Sequence, residues 1–572
     1  MMFVISENLS DGNPYIGPRR FSMLRQPDGR ETAEEVAMRT SSSVVRVAAP
    51  FAFGFLLVFT FLTLVAPLAG SAEPSSLRRP FRRVANSRFP ISTPEAQGMD
   101  SEVLADMLEA LLASREDYRP HEVLVVRNGQ LVLDVAFYPF SQGLRHNIAS
   151  ICKMITATLI GIAIDEGFIA SVDEPVLGFF PDRAIANRDA RKDSITIAHL
   201  LAHRSGIDYQ GDQYAEMLAS PDWIQWILDL PMVSDPGGEY SYSNANFHLA
   251  AWVLVQATGM TPLDFARRHL FWPLRSANPI WDVDPQGIHW GFGGEFLLPS
   301  DLAKLGIVYL NGGAWHGRQV VSPEWVGLAT TGYPGPHPPG WSPEWSMGFG
   351  WANNAGLNML DTAGSGGQSM RVLLDDDLVV VAVAGGGPAY DSCGRNSAVI
   401  DDLLYNYLRT AIVSSSPLAP NPQGVARLTA LVDTASLPYD GPPQPVPPLP
   451  AIAETISGVV FEMDANPVQV DWFSLSFPPG NEAMIEIGGI EVDLLRIGLD
   501  DMFRVSPGEY GLPFAAKGRW VDDTRFAMLF DQVAQWRLLD LEFFFEGGDV
   551  TITLQDIACN DPPLTLTGHS YQ

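Results

Sequence analysis

The stretch His146 to Gly167, HNIASICKMITATLIGIAIDEG, carries a serine and a lysine three residues apart at the head of an apolar run. On a helix, positions i and i+3 share a face, so the amine of Lys153 can reach the hydroxyl of Ser150 within one turn. That pairing suits a nucleophile beside its base. Free amides and the positive end of the dipole favour an alkoxide at a helix N-terminus, and the Ser150 amide can receive an oxyanion. A lysine works as a base only when neutral, which burial or neighbouring positive charge favours. Ile151, Cys152 and Met154 supply apolar surroundings. The chain has only four lysines, Lys153, Lys192, Lys304 and Lys517, so about 0.3 Ser-x-x-Lys matches are due by chance. A capping serine followed by a snorkelling lysine is the alternative that this stretch, by itself, leaves standing.

Two later segments bear on that choice. Tyr242-Ser243-Asn244 stands between a Pro-Gly-Gly turn and a helical run, where polar side chains can project into a cleft. A phenol there can relay a proton to a leaving group, and the Asn244 carboxamide can hold the substrate and the lysine. Asp361 to Asp377, DTAGSGGQSMRVLLDDD, reads as a glycine-rich strand edge. Gly364 and Gly367 allow close backbone approach of a substrate, Gln368 closes the same edge as a binding residue, and the Ser365 amide can be the second oxyanion donor. A rival sits in the same place: Ala363-x-Ser365-x-Gly367 is a variant of the nucleophile elbow. An elbow needs a helix directly after its serine, whereas the residues after Ser365 read as a hairpin.

The elements that must position these groups surround them. His121 to Pro139 holds two β-rich runs about Asn128-Gly129, the signal of a type I′ hairpin. From Ile148 the pattern turns helical, with apolar residues at Ile148, Cys152, Ile155, Leu159 and Ile162 and a stop at Gly167. Ser369 to Gly387 reads as a second hairpin about Asp375 to Asp377, and Ser397 to Val413 as an amphipathic helix. Strands at both ends with helices between predict an α/β (α+β) domain, one antiparallel sheet built from the two ends and flanked by a helical insert. Seven prolines from Pro438 to Pro450 predict a stiff extended linker. Short β-like runs after it predict an antiparallel barrel or sandwich.

Ser150-x-x-Lys153, Tyr242-x-Asn244 and the strand Gly364-Ser365-Gly366-Gly367-Gln368, in that order, resemble the serine β-lactamase and penicillin-binding superfamily, nearest its class C-like esterase and amide hydrolase branch. Phrases such as PISTPEAQGMDSEVL, TIAHLLAHRSGI and MGFGW fit the same branch, and the resemblance runs from about Phe89 to Ile412. It implies Ser150 as the acylated nucleophile, Lys153 as general base, Tyr242 as proton relay, and the amides of Ser150 and Ser365 as the oxyanion hole. One departure matters. Where β-lactamases carry Lys-Thr-Gly, this chain has Thr362-Ala363-Gly364. The cation that would receive a penicillin or peptide carboxylate is missing, which favours neutral esters or amides over β-lactams and D-Ala-D-Ala peptides. The C-terminal region resembles a lipocalin-like accessory domain. The expected divisions are residues 1–72 as leader and signal peptide or membrane anchor, 73–88 as a basic linker, 89–415 as the hydrolase domain, 416–450 as a Pro-rich linker and 451–572 as the β domain.

The remaining features bound the function. With 46% hydrophobic and 18% charged residues the chain is globular. Its net charge of -30 argues against nucleic acid and polyanionic substrates. The charge-free run Val47 to Ala69, followed by Gly70-Ser71-Ala72, reads as a secretory signal cleaved near Ala72 or as an uncleaved membrane anchor, so an exported protein is expected. The basic segment Arg78 to Arg83 weakens any argument about orientation. His199 and His203 in HLLAH lack the glutamate of a zinc helix, and no metal or cofactor is expected. A Cys393–Cys559 bridge is open in an oxidising compartment, though the spacing does not argue for it. Trp281, Trp290, Trp345 and Trp351 read first as core and second as pocket lining. The alternatives to a serine hydrolase of small esters or amides are a cell-wall or β-lactam hydrolase and a non-catalytic binder of the same fold.

Overall fold

The computed structural model describes residues 89–210, 213–386, 403–438, 441–489, 492–559 and 562–570. The expected signal or anchor, the basic linker and Cys393 lie outside them. Among the described residues no helix is long and apolar enough to cross a membrane.

The first domain is built on a seven-stranded sheet. Its strands are β1 (Pro120–Arg127) and β2 (Gln130–Ala136) from the N-terminal side. The others are β6 (Trp345–Met347), β7 (Ala352–Asn354), β8 (Met359–Gly364), β9 (Gln368–Leu373) and β10 (Leu378–Ala384). The order β2-β1-β10-β9-β8-β7-β6 joins the two ends of the domain through β1 and β10, as the paired hairpins require. The first hairpin turns at Asn128 and Gly129, both at positive φ (50° and 69°), as a type I′ turn demands. A small second sheet of β3 (His146–Asn147), β4 (Ile280–Trp281) and β5 (Glu295–Leu297) stands beside Ser150.

Helices cover both faces. On one lies α1 (Ser101–Ala113), capped by Asp100, whose carboxylate accepts from the Glu102 amide, and burying Leu104, Met107, Leu108 and Leu111 on the sheet. On the other lies α2 (Cys152–Asp165), buried from Cys152 to Ala163, the signature of a central helix with no solvent face. Alongside it runs α3 (Asn244–Thr258), and α4 (Pro299–Leu310) packs on β9 and β10.

The expected linker is corrected in its first half. Residues Pro422–Ala435 form a helix, α5, with Pro422 at its first turn and Asn421 capping the Gly424 amide. Proline is compatible with a helix start because its missing N–H would have no intrahelical partner there. α5 packs on α1, where Arg427 meets Glu102, Asp106 and Glu109. It belongs to the first domain, and the extended segment begins only after it. The helix expected over Ser397–Val413 is described from Leu403 and is helical from Leu404 to Ala411.

The C-terminal domain is a barrel, as its short alternating runs predict. Its strands are β11 (Val459–Met463), β12 (Trp472–Ser476), β13 (Glu482–Gly488), β14 (Val492–Gly498) and β15 (Arg504–Ser506). They continue as β16 (Phe514–Trp520), β17 (Arg525–Asp531), β18 (Leu538–Glu546), β19 (Asp549–Asp556) and β20 (Leu564–Ser570). The order is β14-β13-β12-β11-β20-β19-β18-β17-β16-β15, and a short parallel pairing of β14 with β16 closes the ring. Closure removes the edges that an open sheet would expose. Phe461, Phe473, Phe526, Phe543 and Phe545 fill the interior.

Candidate active site

Ser150 sits in the middle of a 3-10 turn, Ala149–Ile151, that leads directly into α2. The turn is held in a conformation that alanine seldom adopts: Ala149 has φ 48°. Asn147 stabilises it by accepting the Ala149 amide at Oδ1, 2.9 Å away, and the Ile148 amide bonds to the Glu295 carbonyl on β5. Ser150 is therefore presented by a braced turn rather than by the helix itself.

Two donors converge on Ser150 Oγ. Lys153 Nζ is 3.1 Å from it and Tyr242 Oη 2.8 Å. The lysine is 3% exposed, and its amine also donates to the Phe292 carbonyl at 3.2 Å. The same amine lies 4.6 Å from the centre of the Tyr242 ring. Tyr242 is 47% exposed, so its ring faces open space on one side while its hydroxyl meets that of Ser150. Its other side rests on His203, buried and held by the Ser243 amide donating to Nδ1. Burial, and then the charge of Lys153, push the His203 pKa well below the usual histidine range, so the ring is neutral. The neighbouring Tyr240 phenol is driven up by burial and by Tyr242 and stays protonated.

The third element comes alongside as the sequence requires. A Cβ at Gly364 would stand 2.8 Å from the Ser150 amide nitrogen and from the Ile148 carbonyl, so only glycine lets β8 approach. Ser365, Gly366 and Gly367 form the turn between β8 and β9, both glycines having positive φ. No helix follows Ser365, so no nucleophile elbow forms.

Two expected binding residues are placed otherwise. Gln368 is buried, and its carboxamide exchanges hydrogen bonds with the Ala384 main chain at 2.8 and 3.2 Å. It is a buried rung between β9 and β10, with its carboxamide turned to the Ala384 main chain. Asn244 opens α3 behind its cap Ser243 and, among the described residues, makes no hydrogen bond to Lys153 or Ser150. The lysine is held by the Phe292 carbonyl instead.

His199 and His203 do separate work. His199 Nδ1 accepts from the Thr196 amide in a capping box, while His203 supports Tyr242. Trp351 is core against Tyr309, and Trp281 donates to the Trp290 carbonyl. Below the nucleophile, Glu295 is fully buried beside Cys152, and burial holds its carboxyl well above the usual carboxylate range, as a neutral acid.

Comparison with known proteins identifies the family of the chain. Residues 108–401, just over half of the chain, match the Beta-lactamase family model, and the chain belongs to that family. It is 26% identical over 262 residues to 6-aminohexanoate-dimer hydrolase of Paenarthrobacter ureafaciens, a match covering 42% of this chain and 65% of that protein. It is 31% identical over 152 residues to monacolin J acid methylbutanoyltransferase of Aspergillus terreus, covering 22% of this chain and 35% of that one. The chain thus spans less than two thirds of the length of either. Among solved structures, the octameric penicillin-binding protein homologue from Pyrococcus abyssi covers 81% of this chain and 99% of its own at 16% identity, with a TM-score of 0.42.

Proposed function

We propose that this protein is an exported serine hydrolase that cleaves a neutral ester or amide through an acyl-enzyme on Ser150. The observation that carries the reading is the convergence of Lys153 Nζ and Tyr242 Oη on one hydroxyl oxygen. Lys153 takes the Ser150 proton as Oγ attacks the carbonyl carbon. The resulting oxyanion is received by the amides of Ser150 and Ser365. As the tetrahedral intermediate collapses, Tyr242 gives its proton to the leaving oxygen or nitrogen and recovers one from Lys153. Water then attacks the acyl-enzyme along the same path in reverse.

The names of two relatives, a hydrolase and a methylbutanoyltransferase, support acyl transfer from Ser150. Thr362 in place of a lysine argues against substrates that bring a carboxylate to that position. Export rests on the apolar run of residues 47–69, and an exported protein beginning near Glu73 is the expected product.

Intact-mass spectrometry with a fluorophosphonate probe tests the mechanism. One adduct on wild type, absent in Ser150→Ala and retained in Ser365→Ala, is the expected result. An adduct lost only in Ser365→Ala overturns the assignment of the nucleophile, and a folded wild type that never labels favours a binding protein.

A further inference from the structure

The oxyanion site proposed above draws its two amides from different elements, the Ser150 turn and the β8–β9 turn. Both are touched by a third element that comes from the other domain. The barrel loop between β17 and β18 runs Gln532-Val533-Ala534-Gln535-Trp536-Arg537. On one side, the Ala534 carbonyl accepts the Asn147 amide at 2.8 Å. Asn147 is the residue whose side chain holds the Ala149 amide and with it the left-handed turn before Ser150. On the other side, the Trp536 side chain lies against Gly366, where a Cβ would stand 2.3 Å from Trp536 Cβ. Gly366 in turn accepts the Gly386 amide, and a Cβ at Gly386 would lie 3.1 Å from the Trp536 carbonyl.

The loop is itself firmly seated. Val533 and Ala534 are buried, and the Gln532 amide closes on the Arg537 carbonyl at 3.1 Å. Asp531 at its start pairs with Arg119 of the first domain at 2.9 Å, and Arg537 at its end with Asp556 of the barrel at 2.6 Å. Both ion pairs are shielded from water, which keeps them from being screened away.

We propose that this barrel loop is a working part of the oxyanion site. By fixing Asn147 on one side and Gly366 on the other it sets the distance between the Ser150 and Ser365 amides, and Trp536 is a positioning residue for that pair. The inference rests on the acyl-enzyme reading above. Two donors must lie within about 3 Å of a single developing oxygen, and a misplacement of about 1 Å costs on the order of a hundredfold in rate. The barrel is then no detachable appendage: the first domain supplies nucleophile, base and relay, and the second holds the two amides in register. Gly366 is glycine because the indole occupies the space of any side chain there.

The test uses the full chain with Trp536→Ala, Trp536→Leu, Trp536→Phe and Ser150→Ala. kcat and KM for p-nitrophenyl butyrate, the rate constant for fluorophosphonate labelling and the thermal midpoint are measured together. In folded Trp536→Ala, kcat and the labelling rate fall together by about ten- to a hundredfold while KM stays within about twofold. Trp536→Phe recovers most of the loss. Trp536→Leu keeps an apolar contact in the loop and carries the same comparison where the alanine variant does not fold. A folded variant with wild-type kcat and labelling overturns the inference, as does a change confined to KM, which would make Trp536 a substrate contact. Wild type that neither labels nor turns over esters overturns the hydrolase reading itself, and this inference with it.

Discussion

His203 stacks on Tyr242 with ring centroids 4.6 Å apart and planes 27° from parallel. The histidine is buried and neutral, while the tyrosine is nearly half exposed and reaches Ser150 with its hydroxyl. The stack, the Lys153 amine 4.6 Å from the ring centre and the hydrogen bond to Ser150 together hold the Tyr242 hydroxyl on Ser150, and the stack is the contact that a substitution at 203 removes. His203 has φ 58°, which asparagine also tolerates. His203→Asn therefore keeps the turn and removes the stack. Turnover of an amide or an alkyl ester, whose leaving group must be protonated, falls about tenfold or more. A p-nitrophenyl ester, whose leaving group departs as an anion, is affected less. Equal losses on both substrates would refute a role through Tyr242.

Gly364 is where the sheet edge meets the Ser150 turn. The Cβ of Gly364→Ala would press on the Ser150 amide, the Ile148 carbonyl and the Ala149 side chain, all within 2.8 Å. Its backbone is ordinary strand, so the substitution strains the approach of the two elements rather than β8 itself. The expected outcome is a loss in kcat/KM on the order of a hundredfold, with the secondary structure seen by circular dichroism unchanged. Retained activity would mean that the edge can withdraw without cost, and that the Ser365 amide is not needed.

A buried pair of acids makes the first domain sensitive to pH far from the site. Glu122 on β1 and Asp134 on β2 are diagonal neighbours on one face, both buried. Burial and the neighbouring carboxyl push Glu122 well up, and burial lifts Asp134 to about 6. In the unfolded chain both titrate near their ordinary values of 4.5 and 3.8. The folded state then holds more protons than the unfolded one from about pH 4 upward. Their contribution is fully present below that range and is lost as pH rises through 6 and beyond. Each extra proton held steepens the fall by about 1.4 kcal/mol per pH unit. Urea unfolding of wild type should show stability declining from pH 4.5 to 6.5. Glu122→Gln should flatten that slope, and an unchanged slope would assign it to other groups such as Glu295.

Ser150, Lys153 and Tyr242 were legible because side-chain chemistry at fixed spacing leaves a mark on the sequence, and the two hairpins because Asn128-Gly129 and Asp375 to Asp377 are turn chemistry. The groups that hold the three were not. Lys153 is fixed by the carbonyl of Phe292, a main-chain group that every residue carries. The turn before Ser150 is braced by Asn147, whose side chain acts locally and whose backbone is held by Ala534 from the far end of the chain. Gln368 looks available in the sequence because a polar residue on a glycine-rich edge usually is, but it is buried with its carboxamide on the Ala384 main chain. α5 is hidden by prolines that flank it: Pro422 starts the helix, and only the later prolines keep the chain extended.

On the proposed acyl-enzyme reading, Thr362 is expected to select among acyl donors. Side chains two residues apart on a strand share a face, so Thr362 projects from β8 on the side from which Gly364 meets Ser150. A substrate carboxylate arriving there finds a neutral hydroxyl in place of a cation, and loses an attraction of about 4 kcal/mol at an effective dielectric of 20 and a 4 Å separation. Part of that is spent on stripping water from the two ions, so a factor of ten in KM is the modest expectation. Wild type should hydrolyse p-nitrophenyl butyrate with a kcat/KM at least a hundredfold above that for nitrocefin, the carboxylate-bearing β-lactam. Thr362→Lys should narrow that ratio about tenfold, chiefly through a lower KM for nitrocefin. Brisk nitrocefin turnover by wild type would show that the missing cation does not govern substrate choice. A variant that folds and leaves the ratio unchanged would place the carboxylate away from Thr362.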